Sequence, residues 1–546
     1  MPAGERYAQV IVDIAVSDTD RVYTYLVPPG MKLYPGSRVS VPFGHRQLEG
    51  YVLALTDETD LAAERIKPVT AALEEYPALL PELMALAREI SGSRHCPLAL
   101  ALRLMLPPEM RAGRVKVKTE LAARVLVSPG EAEEAARAET RSSKRRLLLQ
   151  LLSDGLSHPV GELRALVRDP LPALRVLEEK GLVEIADLEV LRQPFAGGGA
   201  REPEPALTPG QEEALSEILP AVKRGSGAFL LHGVTGSGKT EVYIRAVREC
   251  LKAGKGAIVL IPEIVLTPQM VSWFRGRFGD VAAVMHSRLS AGERFDEWRR
   301  VRKGQARVVI GARSAVFAPV ERLGLIVVDE EHEPSYQAEN APAYDAREIA
   351  LSRAGREGAA LILASATPSI LSFAKAARGD YMLLEMPRRV GASLLPEVSL
   401  VDMREELRLG NRSMFSGLLR ERLEACLSSG QQAMIFINRR GYAPGVLCRK
   451  CGFVVPCPRC DVKMTYHQHD RVMRCHYCGF QRPLPDSCPA CGSRFIKPFG
   501  IGTQKVEEEL HRLFPGVEVV RLDHDTTSGK DGHQKLLDRF RSGQAR

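Results

Sequence analysis

No stretch of this chain offers 18 consecutive apolar residues, and its first 25 residues mix Glu5, Asp13, Asp18 and Asp20 among the apolar ones. That pattern argues against both a membrane span and a secretory leader. Strong charge of one sign is also missing. Lys and Arg outnumber Asp and Glu by 75 to 67, and a formal net charge of +8 over 546 residues permits nucleic acid without establishing it. Cysteine is scarce outside one cluster: eight of the 11 lie between Cys448 and Cys491 as four C-x-x-C pairs. Without an export signal, such pairs mean metal rather than a disulfide framework, and a reducing compartment, the cytoplasm. What the chain does have is 45% apolar content, ample for buried cores, and a length that predicts about three to five domains.

The sharpest feature is Leu230-Leu-His-Gly-Val-Thr-Gly-Ser-Gly-Lys-Thr240, an apolar run, a glycine loop and the start of a helical pattern. It has the form of a phosphate-binding loop. Gly233, Val234, Thr235, Gly236, Ser237 and Gly238 would aim backbone N–H groups at phosphate oxygens, with the positive helix N-terminus behind them. Lys239 would reach the β- and γ-phosphates and Thr240 the Mg²⁺. Gln211, a short helix upstream, offers an amide that could pair with adenine N6 and N7 or serve as an ordinary first-turn helix residue.

Ahead of that loop, β-type runs (7–15, 23–27, 38–42 and 49–55) alternate with turns at Pro29-Gly30 and Pro35-Gly36, which predicts a β-rich domain over residues 1–110. It ends in two helices, 81–90 and 98–106. Charges dominate 111–141, where little suggests a core. Three short amphipathic segments and a β-like stretch from Gly181 then predict a winged helix, so 111–194 is a charged linker plus winged helix. Its third helix would be the recognition helix, but Arg175 and Lys180 are balanced there by Glu178 and Glu179. DNA contact and protein packing both stay open. Residues 195–206, rich in Gly and Pro, read as a linker.

After the loop, apolar strands (257–261, 281–285, 307–310, 325–329, 360–364) alternate with helical patterns. This predicts a parallel α/β sheet, the first lobe of a motor, over 207–390. Ligands should bind at the strands' C-terminal ends. Those ends hold Pro262-Glu263, Gly311-Ala-Arg313-Ser314, Asp329-Glu-Glu-His332 and Ser365-Ala-Thr367. Asp329 is placed to hold Mg²⁺ through water, Glu330 to deprotonate the attacking water, and His332 with Ser365 and Thr367 to sense the γ-phosphate.

Cys448, Cys451, Cys457, Cys460, Cys475, Cys478, Cys488 and Cys491 supply enough thiolates for two tetrahedral Cys₄ zinc sites. The 14 residues between Cys460 and Cys475 suit a zinc-ribbon hairpin, which favours 457/460 with 475/478 and leaves the outer pairs to share a second ion. With four protein ligands each, both sites should be structural. An iron–sulfur cluster is the alternative for such a set. The insertion, 448–495, is basic with interleaved aromatics (Lys450, Arg459, Tyr466, Arg474, Arg482), which suits DNA contact or a solvated ribbon surface alike.

Gly-Val-Thr-Gly-Ser-Gly-Lys-Thr-Glu-Val-Tyr243, Ile-Pro-Glu-Ile-Val-Leu-Thr-Pro-Gln269, Gly-Ala-Arg-Ser-Ala315, Asp-Glu-Glu-His332 and Ser-Ala-Thr-Pro368 resemble helicase motifs I, Ia, Ib, II and III of superfamily 2. Together with Ile437-Asn-Arg-Arg-Gly-Tyr-Ala-Pro444 and the cysteines, they resemble the PriA family of bacterial replication-restart helicases. The resemblance implies RecA-like lobes with an N-terminal domain for a 3′ DNA end, and ATP, Mg²⁺ and two Zn²⁺ as cofactors. It further implies 3′→5′ movement at branched forks, partners among single-stranded-DNA-binding and primosome proteins, and a place in the nucleoid. DNA contacts carried over are Tyr25, Gly36, Arg313, Tyr336 and Tyr344.

Three departures stand out. Thr24 sits where relatives often carry an acid. Gln337, Ala343 and Asp345 replace basic residues of the aromatic-rich loop, which predicts weak DNA stimulation of ATP turnover. A second lobe begins over 391–447 and resumes over 496–546, with strands at 432–437 and 517–522. The sequence stops where another strand is expected, before the arginines of motifs V and VI, so either a fragment or a restart protein with a crippled motor is expected, and the alternative function is an ATP-binding but non-translocating DNA-structure binder and primosome scaffold.

Overall fold

The computed structural model describes residues 6–113, 115–192, 204–263, 268–391, 396–437, 445–467, 472–499, 503–523 and 532–546. The segment 438–444 and most of the 195–206 linker lie outside them. Among the described residues no helix is long and apolar enough to cross a membrane. The chain forms two compact units, Met1–Ser393 and Leu394–Arg546.

The first unit opens with a five-stranded antiparallel sheet in the order Val22–Leu26, Tyr7–Val12, Arg46–Thr56, Arg38–Phe43, Ala71–Ala72. Alternating residues bury Ala8, Val10, Val39, Val41 and Val52 on one face. The turn at Pro35-Gly36 needs its glycine. Gly36 has φ +88°, and a Cβ there would lie 2.1 Å from the carbonyl oxygen of Leu79. The helices Pro81–Arg94 and Leu98–Leu104 follow, and their buried faces (Leu83, Leu86, Ile90, Leu102) join the core of the motor lobe rather than that of the sheet.

The expectation of a charged linker over 111–141 is corrected. Thr119–Val125 pairs along its whole length with Val183–Glu189, and helix Pro129–Ala138, capped by Ser128 and Glu131, buries Ala132 and Ala136 in the winged domain's core. High charge density concealed a strand whose alternate residues, Ala123 and Val125, point inward. The wing is therefore no local hairpin, because the partner of Val183–Glu189 lies far upstream in the chain. Helix Leu171–Glu179 buries Leu174 and Leu177 and leaves Arg175 exposed. Just beyond, Glu189 accepts both N–H groups of the Arg299 fork at 2.7 and 3.0 Å, and Arg192 pairs with Asp296, so this domain's end is clamped to the motor lobe.

The motor lobe is a seven-stranded, all-parallel sheet in the order Ala282–Met285, Val308–Gly311, Gly256–Leu260, Leu323–Asp329, Ala360–Ser365, Ala228–Gly233, Met382–Met386. Strands buried on both faces read as the continuous apolar runs seen in the sequence. Ile258, Leu260, Ile326 and Val328 face the layer containing Trp298 and helix Ala346–Glu357. Ala257, Val259, Leu325 and Val327 face Pro209–Arg224 and Lys239–Lys252.

The second unit contains an antiparallel five-stranded sheet, in the order Gln481–Pro483, Val472–Arg474, Thr465–His467, Gly445–Cys448, Ile496–Phe499, with flanking helices Gly417–Ser428, Thr503–Leu513 and Gly532–Arg541. The strands expected at 432–437 and 517–522 do not form as regular strands. Ala433 donates to Arg546 and Arg546 donates to Glu518, so the two segments flank Arg546 with one backbone hydrogen bond on each side. A ladder one bond long does not fix an extended strand.

Candidate functional site

The loop from Gly233 to Thr240 joins the strand Ala228–Gly233 to the helix that begins at Lys239. Gly236 and Gly238 adopt φ +83° and +81°, which L side chains rarely tolerate. Lys239 is buried, and its Nζ donates to the Gly233 carbonyl at 2.8 Å, closing the loop from within. Ser237 Oγ is buried without a partner. An orphaned hydroxyl, a lysine held by a backbone carbonyl, and two left-handed glycine turns ahead of a helix N-terminus fit a polyphosphate.

Gln211 is placed otherwise than an adenine-reading role requires. Its Oε1 accepts the N–H of Thr208 at 2.8 Å, and its Nε2 donates to the carbonyls of Ser237 and Gly238 at 3.4 and 3.2 Å. Buried as it is, Gln211 clamps the phosphate loop to the preceding helix. A Cβ at Gly238 would sit 2.2 Å from that Nε2, so the glycine is needed for this approach as well as for its φ.

Asp329 ends the central strand facing the loop. Tyr243, on the same face of the helix as Lys239 one turn later, donates its hydroxyl to Asp329 Oδ2 at 3.1 Å. Tyr336 donates to the Asp329 backbone carbonyl at 2.6 Å. Burial, reinforced by the neighbouring Glu330 carboxylate, pushes the Asp329 pKa up to about 6. Burial likewise raises both tyrosines well above 10, so they remain donors. Glu330 has φ +45°, a left-handed backbone that is costly for a side chain of this size and recurs at working sites. His332 Nδ1 lies 2.8 Å from Ser365 Oγ, which accepts the Thr367 N–H. The structure thus brings Lys239, Asp329, Glu330 and His332 to adjacent strand ends.

Reading the sequence assigned nothing to Glu331, which is fully buried. Its carboxylate accepts from Ser369 N at 2.6 Å, Ser369 Oγ at 3.1 Å and Ser372 Oγ at 2.7 Å, while its carbonyl accepts from Arg347 at 2.8 Å. It joins the acidic turn to the segment after Ser365. The available signal was its separation of two from Asp329, but a run of three acids does not say which one turns inward.

Tyr336 and Tyr344 are buried, at 1% and 8% exposure, which corrects their assignment as base-stacking platforms. Tyr344 packs edge-on against Phe317 at 5.0 Å. Arg313 donates to the carbonyls of Ser335 and Gln337 on either side of Tyr336, and its guanidinium lies 5.8 Å from the Tyr344 ring centroid. Asp345 accepts from Arg347 through Nε at 2.9 Å and Nη2 at 2.5 Å. The loop's remaining guanidinium charge is thereby offset, for the same substitution that marked the loop as weakly basic.

Two N-terminal assignments are corrected as well. Tyr25 is buried with its hydroxyl donating to Pro42, and Gly36 is enclosed against Leu79. The rim of that same core instead carries the half-buried Tyr23, edge-on to Phe43 at 5.1 Å with Arg21 over its ring, and the exposed Lys67 donates through Nζ to Gly44 at 3.5 Å. Strand alternation could have shown this, since Tyr23 and Tyr25 share one face and only one of them can be at its rim.

In the second unit the cysteines form two sets, Cys448, Cys451, Cys488, Cys491 and Cys457, Cys460, Cys475, Cys478, with the sulfurs of each set within 4.8 Å of one another. Sulfur separations of 3.7 Å (Cys448–Cys491), 3.6 Å (Cys451–Cys488) and 3.6 Å (Cys457–Cys478) match the edge of about 3.8 Å for a tetrahedron with Zn–S near 2.3 Å. Such a set encloses one ion and has no room for a cluster with its own sulfides. Each set fits one Zn²⁺, in the nested pairing expected from the spacing.

Three family models match: a PriA 3′ DNA-binding domain over residues 9–107, a DEAD/DEAH box helicase over 208–375, and the PriA DNA helicase Cys-rich region over 457–483. The helicase match implies ATP and Mg²⁺. The chain is 40% identical to the replication restart protein PriA of Bacillus subtilis, covering 99% of this chain and 75% of that one. It is 37% identical to that of Synechocystis, covering 99% and 74%, and 34% identical to that of Haemophilus influenzae, covering 96% and 71%. Phosphate loop, acidic strand end, two Cys₄ sets and this shared length lead to one conclusion: the chain belongs to the PriA replication restart family, as an ATP-dependent DNA helicase.

Proposed function

We propose that this chain couples ATP hydrolysis to 3′→5′ movement on single-stranded DNA at branched or stalled forks, and there initiates primosome reassembly. The observation that carries the coupling is the double hold on Asp329. Tyr243 binds its carboxylate from the nucleotide helix, and Tyr336 binds its carbonyl from the loop that Arg313 braces. A shift of that loop moves the strand end that faces the phosphates. When bound, Mg²⁺ supplies charge neutralisation at the β- and γ-phosphates. Lys239 would exchange the Gly233 carbonyl for phosphate oxygens, Asp329 would help to hold the Mg²⁺, and Glu330 would take the proton of the attacking water. His332, through Ser365, passes loss of the γ-phosphate toward Thr367.

The N-terminal rim of Tyr23, Phe43 and Lys67 is the face we assign to a 3′ DNA end, with an aromatic pair for the base and an ammonium for the phosphate. Binding to single-stranded-DNA-binding and primosome proteins, and residence in the nucleoid, are supported by family membership alone. The domain division 1–110, 111–194, 207–390 and the 448–495 insertion within 391–546 is proposed with one change, that 111–141 is part of the winged domain. The test compares ATP turnover on forked and single-stranded DNA, with Lys239→Ala as control. Turnover in the wild type, absent in the variant and raised modestly by DNA, is expected. Equal DNA loading with no turnover in either would leave a scaffold and refute the motor.

A further inference from the structure

Beyond the edge strand Met382–Met386 the chain runs alongside the phosphate loop. Val234 donates its N–H to the Met386 carbonyl at 3.1 Å, and Val390 donates its own to the Gly236 carbonyl at 2.9 Å. Side chains follow the same line. A Cβ at Gly233 would meet Met386 Cβ at 3.1 Å, and one at Gly238 would meet Val390 Cγ2 at 3.1 Å. Residues 386–390 therefore form a strap laid along the loop.

Arg389 is the cation of that strap. Its Cγ and Cδ run 3.8 Å from where a Cβ of Gly236 would stand, in van der Waals contact with the middle of the loop. The side chain is half-buried, its Nε is covered, and among the described residues its guanidinium has neither a hydrogen bond nor an ion pair. Arginines on and against the helix that follows the loop differ. Arg245 is held by Glu241 at 2.7 Å and by Glu204, Arg248 by Glu204, and Arg277 by Glu241 at 3.4 Å. Each of those charges is met by a carboxylate of the lobe, and that of Arg389 is not.

A half-buried guanidinium beside a phosphate cradle, with no carboxylate to offset it, is favoured by an anion and disfavoured without one. The loop's own cation, Lys239, is drawn to the Gly233 carbonyl and presents a single ammonium. Arg389 adds a planar fork, which can give parallel N–H groups to neighbouring phosphate oxygens where an ammonium acts as a point charge.

We propose that Arg389 is a nucleotide-binding residue, its guanidinium donating to the terminal phosphates of the Mg·ATP held on residues 236–240. The assignment rests on the ATP-dependent helicase reading. It makes the last stretch of the first unit, which closes at Ser393, a strap that ATP engages and that ADP, lacking the γ-phosphate, engages less.

The test measures equilibrium binding of Mg·ATP and Mg·ADP to the full chain by competition with a fluorescent ADP analogue. Arg389→Gln should weaken Mg·ATP about tenfold or more and Mg·ADP about threefold or less. Arg389→Lys, which keeps the charge and loses the fork, should recover part of the loss, and Arg388→Gln, at the exposed neighbour, should leave both affinities within about twofold. Limited trypsin digestion reads the wild type directly, so the assignment stays testable even where Arg389→Gln does not fold. Cleavage after Arg389 should slow about fivefold in Mg·ATP and less in Mg·ADP. An equal loss for the two nucleotides, an unchanged Mg·ATP affinity in Arg389→Gln, or cleavage that ignores the γ-phosphate would overturn the assignment alone. Wild-type chain that binds neither nucleotide would overturn the ATP-dependent reading and the assignment with it.

Discussion

Asp329→Asn should make the nucleotide-free protein more stable at neutral pH while abolishing ATP turnover. The carboxylate is 8% exposed, and its pKa moves from 3.8 to about 6 through burial and the adjacent Glu330. Keeping it charged at pH 7.5 therefore costs about 3 kcal/mol relative to the unfolded chain. The variant removes that cost, and the hydrogen bond from Tyr243 to the charged carboxylate is already contained in the shifted pKa. The gain is therefore about 3 kcal/mol, or roughly 6–12 °C in the melting transition of a lobe this size. The folded-state pKa is the higher one, so the folded chain takes up the proton more readily. Wild-type stability from this group is complete below about pH 4 and is lost as pH rises through about 6. The difference between variant and wild type should accordingly be greatest at pH 7.5 and close to nil at pH 3.5. Thermal unfolding at both values, with and without Mg·ADP, measures it, and only the wild type should recover the deficit with Mg·ADP. A variant less stable than wild type at pH 7.5, or a difference that ignores pH, would refute the reasoning.

Glu331→Gln leaves Ser369 and Ser372 without their charged acceptor and should cost about 1–3 kcal/mol of lobe stability. Because Glu331 ties the acidic turn to the segment after Ser365, the variant should lower turnover at least tenfold while Mg·ATP affinity, measured by equilibrium binding, stays within twofold. Chelation should release two Zn²⁺ per chain by colorimetric assay and expose the second unit to protease, with nucleotide binding by the first unit intact; Cys457→Ser should retain a single ion. Glu189→Ala frees Arg299 from its paired contact and should speed limited proteolysis at the end of the winged domain, with an unchanged rate counting against the clamp.

Local chemistry made much of this legible. A glycine loop before Lys239 has few other uses, and C-x-x-C knuckles bind metal wherever they fold, so both could be read from spacing. The seven-stranded sheet could be read in outline because doubly buried strands must be apolar throughout. Strand order, however, is a matter of long-range pairing, and nothing in the run Leu230 to Gly233 states that it lies between Ala360–Ser365 and Met382–Met386.

Side-chain direction was where sequence reasoning failed. Tyr25, Tyr336 and Tyr344 are aromatic residues in the right segments, yet each turns inward, because an exposed ring that can be buried gains by it. Gln211 follows the same rule for polar groups: once buried, both ends of its amide must be satisfied, and the loop carbonyls and Thr208 N–H do so.

By itself, then, the sequence determined the chemical inventory: a polyphosphate loop, a carboxylate at a strand end, and eight thiolates in two fours. Those depend on residue type and short spacing, which travel with the chain. Only the tertiary structure decided which groups meet. It chose Tyr243 and Tyr336 as the partners of Asp329, turned Glu331 rather than a neighbour inward, and laid residues 386–390 along the phosphate loop. Burial makes such choices, since desolvated donors and acceptors must find one another across the fold whatever their distance along the chain.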